Sequence, residues 1–125
     1  MPCCLIAEDQ ALIGMALEAY LGHLGIDVAG PFPSCAETAR WTETHTPELA
    51  ILDFKLRDGP CTDVARSLLA RGAPVIIYSG FPAHDQRQEL AGVRWLEKPV
   101  DRPTLVRVAL DLAPSLAWRM RKAAA

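Results

Sequence analysis

Residues 49–59 read LAILDFKLRDG, an apolar run that ends in a carboxylate and continues into a charged turn. A continuous apolar run is typical of a strand that is buried on both faces of a parallel sheet. Asp53 would then lie where this strand ends, with its backbone buried and its carboxylate at the edge of the sheet. Asp58-Gly59-Pro60 is a strong turn signal, so residues 54–60 are predicted to form a loop.

Three other apolar runs are also followed by polar or charged residues. Glu8 and Asp9 follow residues 3–7, Ser79 follows residues 75–78, and Lys98 with Pro99 follows residues 93–96. Because the carboxyl ends of parallel strands meet at one edge of a sheet, we expect these side chains to gather around Asp53. Three carboxylates, a hydroxyl and a lysine would hold a divalent cation and a phosphoryl group there. Asp53 could then attack phosphorus as a nucleophile and form an aspartyl phosphate.

Helical patterns alternate with the strand-like runs along the chain. Predicted strands cover residues 3–7, 26–29, 49–52, 75–78 and 93–96, and predicted helices cover about 10–24, 35–45, 62–72 and 101–113, with room for a short helix within 80–92. Residues 31–33 are expected to form a stiff turn after the second strand. This alternation predicts an α/β fold with a parallel sheet, helices on both faces and right-handed crossovers.

Short polar residues are expected to cap four of these helices at their N-termini. The predicted caps are Asp9, Ser34, Thr62 and Asp101. Glu37 stands three residues after Ser34, which is the capping-box offset.

Composition restricts the class of protein. The chain has 125 residues and a formal net charge of -2, which fits a single domain and disfavours nucleic acid as the main partner. No apolar run approaches the roughly 18 residues of a membrane span, so we expect no membrane segment and a cytoplasmic location. The 4 cysteines lack the spacing of a zinc site, and we expect them to be buried free thiols.

The pattern resembles the receiver domain of two-component response regulators over residues 3–113. The matching pieces are Glu8-Asp9, the LDFKLRDG stretch around Asp53, Tyr78-Ser79-Gly80, and Trp95 followed by Lys98-Pro99. Each piece is weak alone, but their common order and spacing are specific. The resemblance implies a flavodoxin-like, doubly wound five-stranded parallel sheet with the strand order 2-1-3-4-5.

The resemblance also implies a role for each matching residue. Asp53 would accept a phosphoryl group from the phosphohistidine of a sensor histidine kinase or a phosphotransfer protein. Ligands of Mg²⁺ (or Mn²⁺) would be Glu8, Asp9, Asp53 and the backbone carbonyl of Lys55. Lys98 would be the phosphate-binding lysine, Ser79 the switch hydroxyl and Trp95 the switch aromatic. The peptide bond before Pro99 would be cis. Phosphorylation would alter a surface of the fourth helix, fifth strand and last helix that binds a downstream protein.

Two segments depart from the usual family pattern. The loop after Asp53 is short, and so is the segment between Ser79 and Lys98. Both features resemble single-domain regulators associated with atypical sensor kinases of alphaproteobacteria. Lys55 and Phe81 flank the route of a water molecule that would hydrolyse the phosphoryl group, and this leaves the phosphoryl lifetime open.

The end of the chain allows two interpretations. Residues 114–125 are expected to be a helical extension or tail with a basic cluster at Arg119, Arg121 and Lys122. A solvated, frayed helix end is the first interpretation. A docking surface for a partner, or for a second copy in a homodimer, is the alternative.

Other functions stay open beside the phosphorylation-controlled switch. The chain could be a phosphate sink or relay carrier, or a degenerate receiver that binds partners without phosphorylation. Its own chemistry would be limited to self-phosphorylation and slow self-dephosphorylation. A small acid phosphatase is disfavoured because Lys55 occupies the place of a second catalytic acid, and a flavin-binding flavodoxin is disfavoured because the first strand–helix turn lacks a hydroxyl-rich phosphate loop.

Overall fold

The computed structural model describes residues 4–80 and 90–124. Its strands are β1 (Cys4–Ala7), β2 (Val28–Phe32), β3 (Leu49–Asp53), β4 (Lys55–Leu56), β5 (Gly59–Pro60), β6 (Val75–Ser79) and β7 (Arg94–Glu97). Its helices are α1 (Ala11–His23), α2 (Cys35–Thr42), α3 (Thr62–Ala70), α4 (Arg102–Leu112) and α5 (Ser115–Ala124). The predicted helix between the fourth and fifth strands, and Phe81 within that segment, lie outside the described residues.

The main sheet has five parallel strands in the order β2-β1-β3-β6-β7. This order is the predicted 2-1-3-4-5, because β4 and β5 form a separate small ribbon. The predicted flavodoxin-like, doubly wound fold is therefore confirmed. Among the described residues, no helix is long and apolar enough to cross a membrane.

Alternate residues of the central strands face two separate hydrophobic cores. Ile6 and Ile51 point to one side, where they meet buried residues of α1, α4 and α5. Leu5 and Leu52 point to the other side, where α3 contributes the buried residues and α2 contributes partly buried ones. Because every inner strand is covered on both faces, its apolar run is continuous, and its polar residues are confined to its end.

The second strand lies later in the chain than predicted. It runs through residues 31–32, which were expected to form a turn, and the Gly30–Pro31 peptide bond is cis. Its pairing with β1 shifts register between the Leu5 and Ala7 positions, so that Phe32 pairs with Ala7. The prediction was wrong because the backbone oxygen of Phe32 still accepts a hydrogen bond from the Glu8 N–H at 2.9 Å, which keeps the strand paired despite the proline.

Two predicted helix caps are confirmed. Ser34 Oγ accepts a hydrogen bond from the Glu37 N–H at 3.1 Å, and the Ser34 hydroxyl and the Glu37 carboxylate lie 3.2 Å apart. Asp101 Oδ1 accepts a hydrogen bond from the Thr104 N–H at 2.7 Å. Both helices therefore begin where a short polar side chain satisfies a free backbone N–H.

The other two predicted caps are wrong. The N-cap of α1 is Gln10 rather than Asp9, and no side chain caps this helix. Thr62 is the first residue of α3, after Cys61 at the N-cap. At both sites the capping side chain was assigned from its type alone, whereas the chain enters the helix one residue away from it. The second helix also ends earlier than predicted, at Thr42.

The C-terminal segment forms the helix α5, whose first half is anchored to the domain. Leu116 of α5 is fully buried in the core that faces α1 and α4. Glu48, just before β3, accepts hydrogen bonds from the Ser115 hydroxyl at 2.5 Å and from Arg119 Nε at 3.0 Å. One buried leucine and these polar contacts hold the first half of the helix against the domain, while residues 121–124 are exposed.

The predicted burial is found for two of the three cysteines that the structure describes. Cys4 and Cys61 are buried, and Cys35 is half-buried. The fourth, Cys3, lies outside the described residues.

Candidate functional site

Four strand ends bring the predicted site residues to one edge of the sheet. Glu8 follows β1, Asp53 ends β3, Ser79 ends β6 and Lys98 follows β7. Glu8, Asp53 and Ser79 are only 2%, 7% and 4% exposed, since the backbone on each side of them belongs to the buried sheet. The polar groups are therefore gathered in a poorly hydrated place, where their interactions are stronger than in water.

Three carboxylates form a cluster at this edge. Glu8, Asp9 and Asp53 each offer an oxygen atom, and these atoms lie within 4.8 Å of one another. Asp9 is the most exposed of the three. Carboxylate oxygens at this spacing suit a small hard cation such as Mg²⁺, which commonly takes one or two carboxylates together with water and phosphate oxygens. The residues present therefore fit the predicted Mg²⁺ or Mn²⁺.

Lys98 offsets part of the negative charge. Its Nζ lies 3.1 Å from Asp53 Oδ2 and 3.4 Å from Glu8 Oε1. It also lies 4.6 Å from the centre of the Tyr78 ring, in the position of a cation–π contact. One ammonium group thus bridges two of the three carboxylates.

Tyr78 is a site residue that the sequence did not reveal. Its hydroxyl donates a hydrogen bond of 2.7 Å to Glu8 Oε1, while the Gln10 N–H donates one of 3.0 Å to Glu8 Oε2. Both oxygens of Glu8 are thereby held by neutral donors. The one available signal was a hydroxyl-bearing aromatic residue in an otherwise apolar strand, and such a residue is ordinarily part of a core.

The two buried acids respond differently to these surroundings. Burial by itself raises the pKa of Glu8, but the hydrogen bonds from the Gln10 N–H and the Tyr78 hydroxyl bring it below its usual value. Burial also raises the pKa of Asp53, and there the opposing effect of Lys98 is too small to reverse the shift. Asp53 is therefore the acid whose charge is poorly compensated in the absence of a cation.

Trp95 and Ser79 connect this edge to the neighbouring strands. The Trp95 ring packs against Phe54, with ring centroids 5.5 Å apart, and it belongs to the core opposite the one that holds Tyr78. Trp95 and the Lys98 ammonium group, which lies over the Tyr78 ring, are therefore on opposite faces of the sheet. The backbone oxygen of Ser79 accepts a hydrogen bond of 2.8 Å from the Lys98 N–H, and the Lys98–Pro99 peptide bond is cis.

A groove leads away from Lys98 along the first helix. It has a volume of about 550 Å³ and lies between α1 and α4. Lys98, Tyr78 and Pro99 line its inner end, and Leu12 and Ile13 line its outer side. Leu12 is 84% exposed, so the groove joins the charged edge of the sheet to an apolar surface.

Comparison with known proteins identifies similar chains. The chain is 33% identical over 117 residues to the transcriptional regulatory protein PdtaR of Mycobacterium tuberculosis, and the match covers 89% of the chain and 56% of PdtaR. The chain thus spans about half the length of the curated relatives it matches. No protein-family model matches it.

Solved structures with the same fold include receiver domains of response regulators. The REC domain of the PhyR response regulator from Erythrobacter litoralis has a TM-score of 0.76 and 27% identity, covering 89% of this chain and 88% of that domain. SdrG from Sphingomonas melonis has a TM-score of 0.74 and 29% identity, covering 90% and 96%. A response regulator receiver protein from Sinorhizobium medicae has a TM-score of 0.81 at 21% identity, covering 91% and 95%, and that likeness shows the fold alone. By its sheet order and by these likenesses, the chain has the fold of the receiver domains of response regulators and is similar to them.

Proposed function

We propose that the chain is a phosphorylation-controlled switch in two-component signalling, with Asp53 as the residue that accepts the phosphoryl group. The observation that carries this proposal is the position of Asp53, which is buried between two other carboxylates and Lys98 at the carboxyl edge of the sheet. A structural carboxylate would be expected to find enough partners there to lower its pKa, whereas the pKa of Asp53 is raised by burial. Such a site is built for an additional ligand with positive charge.

The chemistry is a transfer between a phosphohistidine and a carboxylate. An oxygen of Asp53 attacks the phosphorus, and the new O–P bond forms as the P–N bond to the donor imidazole breaks. The electron pair of the broken bond stays on the imidazole nitrogen. Glu8, Asp9, Asp53 and the Lys55 backbone carbonyl would hold Mg²⁺, and the bound cation would supply positive charge that offsets the phosphoryl oxygens.

Lys98 and Ser79 act on the product. Lys98 Nζ lies 3.1 Å from Asp53 Oδ2 before the reaction. After phosphorylation it contacts a phosphoryl oxygen instead, because the negative charge now lies on the phosphoryl oxygens. The Ser79 hydroxyl donates a hydrogen bond to another phosphoryl oxygen. We expect movement of Ser79 and Trp95 then to alter the surface formed by β7 and α4, where a downstream protein would bind. The fourth helix of the predicted binding surface lies outside the described residues.

The donor is expected to approach along the groove beside α1. A sensor histidine kinase or phosphotransfer protein must bring its imidazole to Asp53, and this groove ends at Lys98, the residue that contacts Asp53. Its outer side is apolar, with Leu12 and Ile13 both exposed, as a surface that docks a protein requires. A cytoplasmic location and a homodimer formed through α5 stay predictions.

A phosphate sink or relay carrier uses the same chemistry but has no downstream target. A degenerate receiver would bind its partner without phosphorylation. The complete set of carboxylates together with Lys98 favours the working receiver over the degenerate one.

Phosphorylation by a small donor tests the proposal. The wild-type chain and Asp53→Ala are incubated with acetyl phosphate or phosphoramidate, with Mg²⁺ or with EDTA, and their intact masses are compared. We expect one phosphoryl group on the wild-type chain in the presence of Mg²⁺, and none on Asp53→Ala or with EDTA. Equal labelling of Asp53→Ala would refute the assignment of Asp53. Absence of an adduct together with failure to bind beryllofluoride would favour the degenerate receiver.

A further inference from the structure

The ribbon that follows Asp53 is tied to the start of α2. Asp58, between β4 and β5, accepts two backbone hydrogen bonds from the first two residues of that helix. Its Oδ1 accepts from the Cys35 N–H at 2.7 Å, and its Oδ2 accepts from the Ala36 N–H at 3.1 Å. Both are N–H groups that the helix itself leaves without a partner, and a carboxylate is favoured there by the helix dipole.

Further contacts join the same two segments. The Arg57 N–H donates to the Pro33 backbone oxygen at 3.2 Å. The Cys35 thiol lies 3.4 Å from the Gly59 backbone oxygen. The same thiol lies 3.4 Å from the Pro60 backbone oxygen. The ribbon is therefore attached to residues 33–36 at four successive positions, 57 to 60, and Asp58 makes the two shortest of these links.

Residues 32–36 also reach the acidic pair. The Phe32 backbone oxygen accepts a hydrogen bond of 2.9 Å from the Glu8 N–H, so the strand that leads into α2 holds the backbone of a predicted metal ligand. This segment thus lies between the loop that carries Glu8 and Asp9 and the ribbon that carries Lys55.

The ribbon is fixed at its base as well. The Phe54 N–H donates to the Tyr78 backbone oxygen at 3.3 Å, and the Cys61 N–H donates to the Phe54 backbone oxygen at 2.8 Å. Lys55 lies between this fixed base and the tip that Asp58 attaches. Its side chain is exposed, so its backbone is positioned by the ribbon and not by side-chain packing.

We propose that Asp58 is a positioning residue for the cation site. By attaching the ribbon to α2, it sets the position of the Lys55 backbone carbonyl relative to Glu8 and Asp9. This inference rests on the proposed function, in which that carbonyl is a ligand of Mg²⁺. A carbonyl that is free to move binds the cation more weakly, because its ordering must then accompany binding.

Mg²⁺ titration of Asp58 variants tests this inference. Affinity is measured by isothermal titration calorimetry and by tryptophan fluorescence, without any phosphodonor. We expect Asp58→Ala to weaken Mg²⁺ binding about tenfold, which is the lower end of the effect of removing a group that orients a metal ligand. Asp58→Asn keeps one acceptor oxygen and should show a smaller loss.

Asp63→Ala is the matched control, because it removes the same charge close by in the chain. Its carboxylate is fully exposed and contacts Arg66 at 3.7 Å, so we expect unchanged Mg²⁺ affinity. A urea titration of each apo variant identifies the folded fraction, and Asp58→Asn serves for the affinity measurement if Asp58→Ala does not fold.

The outcomes separate the inference from the proposed function. Weaker Mg²⁺ binding in folded Asp58 variants, with wild-type affinity in Asp63→Ala, supports the positioning role. A lower stability of the Asp58 variants with unchanged Mg²⁺ affinity would refute it, since Asp58 would then serve the fold alone. Absence of Mg²⁺ binding and of an Asp53 adduct in the wild-type chain would instead refute the proposed function, and with it this inference.

Discussion

Replacement of Asp53 by asparagine should stabilise the folded protein when no cation is present. The change keeps the shape of the side chain and removes one of three carboxylates that lie within 4.8 Å of one another. Ordinarily the loss of a buried, ion-paired carboxylate destabilises a protein. Here the sign of the change in the free energy of unfolding depends on two opposing effects on the Asp53 charge. Lys98 favours this charge, whereas burial beside Glu8 opposes it.

The structure allows these energies to be compared. With an effective dielectric constant of about 20, Lys98 at 3.1 Å from Asp53 contributes about 5 kcal/mol of attraction. Repulsion by Glu8 at up to 4.8 Å amounts to about 3.5 kcal/mol, and Asp9 adds a smaller, screened repulsion. The pair energies therefore nearly cancel, and the cost of desolvating a carboxylate that is only 7% exposed, several kcal/mol, decides the result. We expect Asp53→Asn to raise the free energy of unfolding by about 2 kcal/mol.

The dependence on pH gives the prediction a second test. Because burial raises the pKa of Asp53 in the folded state, its charge destabilises the fold above that pKa, and the effect disappears below the pKa of the unfolded chain, about 3.9. Urea unfolding in EDTA should thus show the gain of Asp53→Asn at pH 7 and its disappearance near pH 3.5. Asp63→Asn controls for net charge. A variant less stable than wild type at pH 7 would mean that the Lys98 pair outweighs desolvation, and would refute this reasoning.

Three other substitutions test separate parts of the structure by urea or thermal unfolding. Tyr78→Phe removes the hydroxyl that donates a hydrogen bond to Glu8 at 2.7 Å. It should lower the free energy of unfolding by about 1.5–3 kcal/mol, the usual value for a hydrogen bond to a charged group. No loss of stability would mean that water replaces the hydroxyl. Leu116→Ala should cost about 3 kcal/mol since Leu116 is fully buried, and a loss below about 1 kcal/mol would contradict the role of α5 in the core. Asp101→Ala should lower the free energy of unfolding because it removes the N-cap of α4, while Asp101→Asn, which keeps an acceptor oxygen, should cost less. The Asp101 hydrogen bond from Thr104 lowers the pKa of this carboxyl, so the loss should be present at neutral pH and fade as the pH falls through that pKa.

The sequence was sufficient to predict the charged edge of the sheet, for a physical reason. In a parallel sheet the end of each strand is at the same edge, so a residue that ends an apolar run has its place assigned by topology alone. Glu8, Asp53 and Lys98 are adjacent in the structure because each satisfies that condition. No knowledge of side-chain packing was needed to bring them together.

Residues whose partners are distant in the chain could not be predicted in this way. Tyr78 occurs within an apolar run and contributes to a core, and nothing near it in the sequence indicates that its hydroxyl meets Glu8. Asp58 precedes a glycine, and this local pattern indicates only a turn. Nothing near it in the sequence indicates that Asp58 contacts α2. In the same way the predicted last helix ended at residue 113, and the burial of Leu116 beyond it could not be predicted because it depends on a core formed by other elements.

Lys98 and Asp53 are each connected to Trp95 by a short chain of contacts, and the two chains of contacts run through different residues. Trp95 lies on β7, the strand that leads directly to Lys98, and the Lys98 backbone is hydrogen-bonded to Ser79. The Trp95 ring also packs against Phe54, which follows Asp53 in the chain. A ligand that draws Lys98 away from Asp53 therefore pulls on β7, whereas a ligand that shifts the end of β3 moves Phe54 beneath the same ring. Because both displacements act on one aromatic side chain, Trp95 is where the charge state of the site should be converted into a change of surface.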